Sequence, residues 1–327
     1  MVQPGSVARS HLWERPFIVM DSLAFYIAKI LFPLQLCIDY GRNRPWLLQS
    51  GTIWYSWLLP VGLAATVFFL YRRRHKLLQP IDLLPAVGLL ILVAAPLPVL
   101  GLVSFDFEAF SIVSDHYLYT ALLGPAICVA WAVAKSPRPF FIAVCALLTL
   151  YVAKSAVQAA TWQNESTLMN HTLAVNPKSC AAYNNLANDY SRDNNLPAAG
   201  DALRRALELA PDDPSIESNL VWHYLNTNQI NLAEFYARQV IKDTAYYYGS
   251  RSSFNSDAYA RLIRMYVDAH RLDDAERYLD EAISRFPKND YFRTRRTDID
   301  ALRRDPNFEI DRSPGVPSSA PATQTGG

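Results

Sequence analysis

Cysteine is scarce in this chain of 327 residues. There are four, Cys37, Cys128, Cys145 and Cys180. No two are at metal-ligand spacing, which excludes a disulfide-stapled module and leaves no cysteine metal site. Three lie in apolar segments and read as small buried hydrophobes. Net charge is also lacking. Thirty-one basic residues stand against 30 acidic ones, net +1, which argues against a nucleic-acid binder with a strongly basic surface. Charged residues make up only 19% and apolar residues 51%, so disorder throughout is excluded. The chain has no Gly-x-Ser-x-Gly, no His-Glu-x-x-His and no phosphate-binding glycine loop, so soluble hydrolase chemistry finds no support. The first 15 residues are polar, and no secretory signal peptide is visible.

The mean hydropathy of +0.02 averages two unlike halves. Residues 1–158 hold 12 basic and 7 acidic residues, net +5, and residues 159–327 hold 19 and 23, net −4. Long charge-free runs occur only in the first half: Pro45–Tyr71, Leu83–Phe105 and Tyr117–Ala134. A hydrocarbon core about 30 Å thick needs roughly 20 helical residues. Residues 1–158 therefore read as a multi-span membrane domain of about five helices, 16–38, 52–71, 82–103, 117–134 and 139–157. The first carries Asp21 and Lys29 inside its apolar stretch, and it either spans or lies re-entrant or interfacial. Charges at such depth face protein or a water-filled cavity. Membrane lipids are thus the first expected partner.

Loop charges set the orientation. Arg72, Arg73, Arg74, His75 and Lys76 follow the second segment, and Lys135 and Arg138 follow the fourth. The positive-inside rule places both loops in the cytoplasm and everything after Val157 outside. Arg42 and Arg44 run against that rule. Pro96, Pro98 and Gly101 predict a kink or early unwinding at the end of the third segment. The expected location is a bacterial inner membrane with the second half in the periplasm. The alternative is an endoplasmic-reticulum membrane with that half in the lumen.

From Cys180 a pattern recurs every 34 residues, the period of tetratricopeptide repeats. Units at 180–213, 214–247 and 256–289 place Tyr190, Tyr224 and Tyr266, then Ala199, Ala233 and Ala275, at equivalent offsets. An eight-residue insertion, about Tyr248–Asn255, separates the last two. Each unit is two antiparallel helices that bury their stripes only against neighbours, and three units reach the minimum for a stable stack. The fold class is accordingly all-α: polytopic transmembrane helices followed by an extramembrane tetratricopeptide-repeat α-solenoid over 159–304. Trp162–Pro177 reads as half a repeat and Tyr291–Arg304 as a polar final helix. Residues 305–327 read as a disordered tail.

In such arrays the first helix of each unit lines the concave face. Asn185, Asn219 and Arg261 share one offset there, and Asn184 and Asn188 flank the first. Their amides can hydrogen-bond an extended peptide or protein partner. The plain alternative is a solvated polar face. Asn164-Glu-Ser and Asn170-His-Thr match N-glycosylation sequons, a pattern common by chance.

Three stretches carry a family resemblance: PLQLCIDYGR (33–42), LPVLGLVSFDFEAFSIVSDHYLYTALLG (97–124) and TWQNESTLMNHTLAVNPKSCAAYNNLA (161–187). In this order they resemble the C-terminal part of the transmembrane and tetratricopeptide-repeat O-mannosyltransferase-like proteins of the GT-C glycosyltransferase superfamily. The resemblance implies sugar transfer from a polyprenyl- or dolichyl-phosphate donor to a protein hydroxyl at the outer face, hence O-mannosylation. It implies lipid-phosphate contacts at His116, which stands where the family often has arginine, and at Arg42, with Asp39 and Asp115 as nearby site carboxylates. Against these roles stands the plain reading of interfacial polar residues. The family's essential acidic residue lies in its first external loop. No counterpart is found here, so no catalytic base is assigned, and an upstream-encoded N-terminal half is an expected partner. The competing function is a non-enzymatic membrane scaffold that recruits proteins through its repeats. No metal or other cofactor is read from the sequence.

Overall fold

The computed structural model describes residues 11–74, 83–102, 108, 110–247, 253–305 and 308. Among these residues there are fourteen α-helices and no strand. The expectations for His75, Lys76, the 248–252 part of the insertion and nearly all of the tail lie outside the described residues. By contact the chain forms two compact units, Met1–Asp189 and Tyr190–Gly327.

In the first unit, α1 spans Arg15–Leu31 and buries Ile18, Asp21, Ser22, Leu23, Ala24 and Tyr26. Two of those six are polar, so this helix faces protein with a mixed surface. The helix ends at Leu31, short of the expected residue 38. Phe32 has already left the helical region (φ −133°, ψ 83°), because it precedes Pro33, which disfavours helical backbone at the residue before it and has no N–H to continue the ladder. The short α2 (Arg44–Ser50) is capped by the Asn43 side chain, which accepts from Trp46 N, and stops at Gly51 with φ 70°. The left-handed glycine is the usual helix stop.

Among the described residues, two helices are long and apolar enough to cross a membrane. One is the Thr52–Phe69 stretch that begins before α3 (Leu58–Arg74), and the other is α6 (Arg138–Ala160). No residue of α6 is buried, although the helix is rich in Phe, Leu, Val and Ile. Such a surface in water would be an aggregation liability; in lipid it is solvated.

Two other apolar segments are shorter than their charge-free runs. The helix α4 spans only Leu84–Ala94, and α5 spans Leu123–Ala134. Pro96 and Pro98 stop α4, and the chain continues as a 3-10 turn, Leu97–Val99, to Gly101 at φ 90°. Pro125 lacks the N–H that would bond Ala121, so it sits in the first turn of α5 and not mid-helix. Asp115–Leu118 is a separate 3-10 turn. The two helices pack antiparallel, with Pro85 O near Cys128 Sγ (3.6 Å) and Gly88 against Gly124. A Cβ on Gly88 would lie 2.6 Å from the Gly124 carbonyl. Such backbone contact through glycine is how apolar helices associate where hydrophobic burial gives no driving force.

The first unit continues through α7 (Glu165–Val175) and most of α8 (Cys180–Arg192). Segment 36–41 ties both to the apolar helices. Leu36 O is within hydrogen-bond distance of Gln158 Nε2 (3.2 Å) and His171 Nε2 (2.7 Å). Ser179 Oγ donates to Asp39 Oδ2 (2.5 Å).

The second unit is a succession of antiparallel helices: α9 (Leu196–Leu209), α10 (Pro214–Asn226), α11 (Ile230–Tyr247), α12 (Ser253–Asp268), α13 (Leu272–Arg285) and α14 (Asp290–Arg304). Ala199, Ala233 and Ala275 are fully buried. The turns at Asn194, Asn228 and His270 all have φ between 55° and 57°. In each, the following amide bonds a tyrosine carbonyl five residues back at 2.8 Å: Asn195 to Tyr190, Gln229 to Tyr224, Arg271 to Tyr266. The turns are 34 and then 42 residues apart, one period and one period plus eight. Tyr224 stacks on Tyr236, and Tyr266 stacks on Tyr278, both with ring centroids 5.5 Å apart.

Candidate functional site

The best-built polar cluster of the first unit forms around residues 36–44. Each member comes from a different stretch of chain. Asp39 is 3% exposed. Its Oδ1 accepts from Gly41 N (2.8 Å) and its Oδ2 from Ser179 Oγ. Burial raises its pKa, and the two hydrogen bonds oppose the rise. Gly41 is required here for two reasons. Its φ is 63°, and a Cβ would stand 3.0 Å from Asn176 Nδ2.

Tyr40 points the other way. Its hydroxyl donates to Asp115 Oδ1 (2.7 Å) and accepts from Cys37 N (3.1 Å). Lys29 Nζ lies 4.7 Å over the Tyr40 ring and donates to Leu34 O (2.5 Å). The second Asp115 oxygen is buried without a hydrogen-bond partner. Burial raises the Asp115 pKa to about 6, with the Tyr40 hydroxyl and the Lys29 charge pulling against it. His116 is exposed. Its Nδ1 lies 2.7 Å from Ser114 Oγ, and burial of part of its ring lowers its pKa.

Arg42 is engaged internally. Its Nη2 donates to Asp21 Oδ2 (2.6 Å), and its guanidinium lies between the Phe25 and Trp46 rings at 5.1 and 4.5 Å. Arg44 makes a two-pronged pair with Glu14, Nε to Oε2 and Nη2 to Oε1, at 2.6 and 2.7 Å. Both arginines that run against the loop-charge pattern thus neutralise buried carboxylates of the first helix region. Asp21 is 2% exposed and Glu14 3%. A bond to Arg44 holds the Glu14 carboxyl below its usual range.

The expected site residues therefore divide into groups. Asp39 and Asp115 are joined through the backbone step from Asp39 to Tyr40, and His116 follows Asp115 directly. Arg42 shares the segment but faces Asp21. Asn184, Asn185 and Asn188 are on α8, in the first compact unit, where Asn184 is buried and Asn185 Nδ2 lies 3.8 Å from Met169 Sδ. Asn219 is on α10 and Arg261 on α12, in the second. Burial lowers the Arg261 pKa, and Asp257 opposes this. Tyr40, Ser179 and Lys29 complete the cluster; Lys29 was marked in the sequence as a charge within an apolar stretch, but Tyr40 and Ser179 carried no signal, because the carboxylates they bond lie 75 and 140 residues away. Among the described residues no group of three or more His, Cys, Asp or Glu side chains is arranged to hold a metal ion.

Among the described residues the protein is thus all-helical, with two helices long and apolar enough to cross a membrane and a polar cluster in the same compact unit. No family model and no curated protein matches this chain.

Proposed function

We propose that this is a membrane-anchored tetratricopeptide-repeat protein whose repeats hold a protein or peptide partner outside the cytoplasm. The observation that carries the reading is the recurrence of one turn. A left-handed residue followed by an amide bond five residues back returns at Asn194, Asn228 and His270, on the 34-residue period and its eight-residue extension. A period shared by backbone geometry and sequence is what stacked helical hairpins require. The unburied α6 supports the anchor. The shorter α4 and α5 cross as a glycine-packed pair, and α1 lies with its charged face against protein. The repeats follow α6 on the non-cytoplasmic side.

The sugar-transferase reading is favoured by a separate observation. The three stretches that carry the resemblance meet at 36–42: Tyr40 bonds Asp115, Ile112 N bonds Arg42 O (3.0 Å), and Ser179 and His171 bond the same segment. In that reading the chain is the C-terminal portion of a lipid-phosphate-sugar-dependent O-glycosyltransferase. His116 meets the lipid phosphate and the repeats present the acceptor. In the scaffold reading the same cluster is structural.

The test has two arms. Cross-linking from a photoreactive residue at Asn188 or Asn219 is expected to capture a defined partner in intact membranes. Labelling no stronger than from the exposed Arg205 overturns the partner-binding reading. Sugar transfer to a peptide from a polyprenyl-phosphate donor is then assayed with the chain alone and with an upstream-encoded half. Turnover in either mixture supports the transferase, and its absence in both leaves the scaffold.

A further inference from the structure

One dipeptide of the first compact unit is bonded in two directions. Asp39 meets the start of α8, and Tyr40 meets the turn that carries Asp115 and His116. The α8 end is unusual among the helix starts of this chain. At Asp213 and Asn289 the capping side chain accepts directly from its own helix, from Ser215 N and Tyr291 N. At the corresponding offset α8 has Ser179. Its Oγ accepts from Ala182 N (3.0 Å) and its hydroxyl donates a hydrogen bond to Asp39 Oδ2. The carboxylate that the other caps carry, or mimic with an amide, is thus supplied from 140 residues upstream. A hydroxyl that donates to a carboxylate is a better acceptor, and negative charge is favoured at a helix N-terminus.

Each of the two side chains is tied at two points. The Gly41 amide holds the second Asp39 oxygen (2.8 Å), beside the one held by Ser179. The Tyr40 hydroxyl is held by Asp115 and by Cys37 N, with the Lys29 ammonium over its ring. Neighbouring Cα atoms are about 3.8 Å apart and joined by a planar peptide. Displacing Asp39 therefore displaces Tyr40.

We propose that Asp39–Tyr40 is a mechanical link through which α8, with Asn184, Asn185 and Asn188, and the Asp115–His116 turn set each other's position. Asp39, Tyr40 and Ser179 are positioning residues. What binds at either end changes the other, and by the same factor in both directions. Its use in binding rests on the function proposed above. The link itself does not, so it is tested without any ligand.

The experiment is amide hydrogen exchange of the full chain in detergent micelles. Ser179→Ala removes the cap. It is expected to speed exchange at Ala182 and Tyr183 by at least about threefold, and by a comparable factor at Ile112, Ser114 and Tyr117. Tyr40→Phe removes one hydroxyl from the other end and is expected to act on both sets as well. Asn164→Ala, which uncaps α7 without touching Asp39, is expected to leave residues 112–117 unchanged. Effects confined to 182–183 for the first variant, or to 112–117 for the second, overturn the link. If Ser179→Ala does not accumulate as folded protein, the milder Tyr40→Phe decides alone.

Discussion

Arg42 and Asp21 are 18% and 2% exposed in their side chains. Removing one member of a pair this deep leaves the other charge desolvated, which is costlier than replacing both. Asp21→Ala is expected to destabilise the first unit by roughly 2–4 kcal/mol, and Asp21→Leu with Arg42→Met by less. Detergent melting curves of the single and double variants check this order. A second consequence concerns pH. Asp115 has its pKa raised to about 6 in the fold, so the folded state binds its proton more readily than the unfolded chain does. Its contribution to stability is present in full below its ordinary value near 4 and is lost as pH rises through 6. Asp115→Asn has no such titration. The melting difference between the variant and the parent is expected to change between pH 4 and 6, by of order 1–3 kcal/mol, and to stay flat above 7. A difference independent of pH throughout would show that Asp115 titrates normally.

At the scale of elements, the repeated turns carry a cost that differs with the residue. Asparagine and histidine both enter the left-handed region more readily than most side chains, asparagine at the lower cost. Glycine relieves that strain but gains freedom in the unfolded chain. His270→Gly is therefore expected to stabilise the second unit by about 0.5 kcal/mol, with Asn194→Gly and Asn228→Gly near neutral. Thermal unfolding followed by circular dichroism measures all three. The packing of α9 on α10 offers a sharper case. A Cβ on Gly200 would lie 2.8 Å from His223 Nε2 and 2.9 Å from its Cε1. Gly200→Ala is expected to cost about 1–3 kcal/mol, despite the better helix propensity of alanine. His223→Ala in the same chain is expected to restore most of it. Equal losses with and without His223 would place the strain elsewhere. The turns show where sequence reading stops at this scale. The 34-residue period was legible in Tyr190, Tyr224 and Tyr266, but the left-handed residues were not. Asn and His both tolerate the left-handed region, but each is as common in other conformations, and closure of the hairpin is what puts these three into one backbone region.

At the scale of the whole molecule, the two units treat leucine oppositely. Leu150 on α6 is 66% exposed and Leu203 on α9 is 1% exposed. If α6 spans, Leu150→Asp disfavours insertion by roughly 2.5–3.5 kcal/mol and lowers the fraction that resists alkaline extraction from membranes. Leu203→Asp is expected to leave that fraction unchanged and to expose the second unit to protease. A Leu150→Asp protein extracted no more readily than its parent would argue against the anchor.

Periodicity and charge distribution, both local properties, were enough to anticipate helices alone among the described residues, an apolar helix at 139–157 that the structure extends to Arg138–Ala160, and a 34-residue period. The stop of α4 at Ala94 was announced by Pro96 and Pro98, whereas the helix ends at Leu31 and Leu123 were less legible, because hydropathy counts apolar residues and does not see where proline breaks the backbone. The partners of Arg42, Asp39 and Asp115 were decided only by tertiary structure. Arg42 stood in the sequence as an unpaired charge on an unexpected side, and Asp39 and Asp115 as separate carboxylates. Burial makes such charges acceptable only when a partner satisfies them, and those partners lie 21, 140 and 75 residues away along the chain.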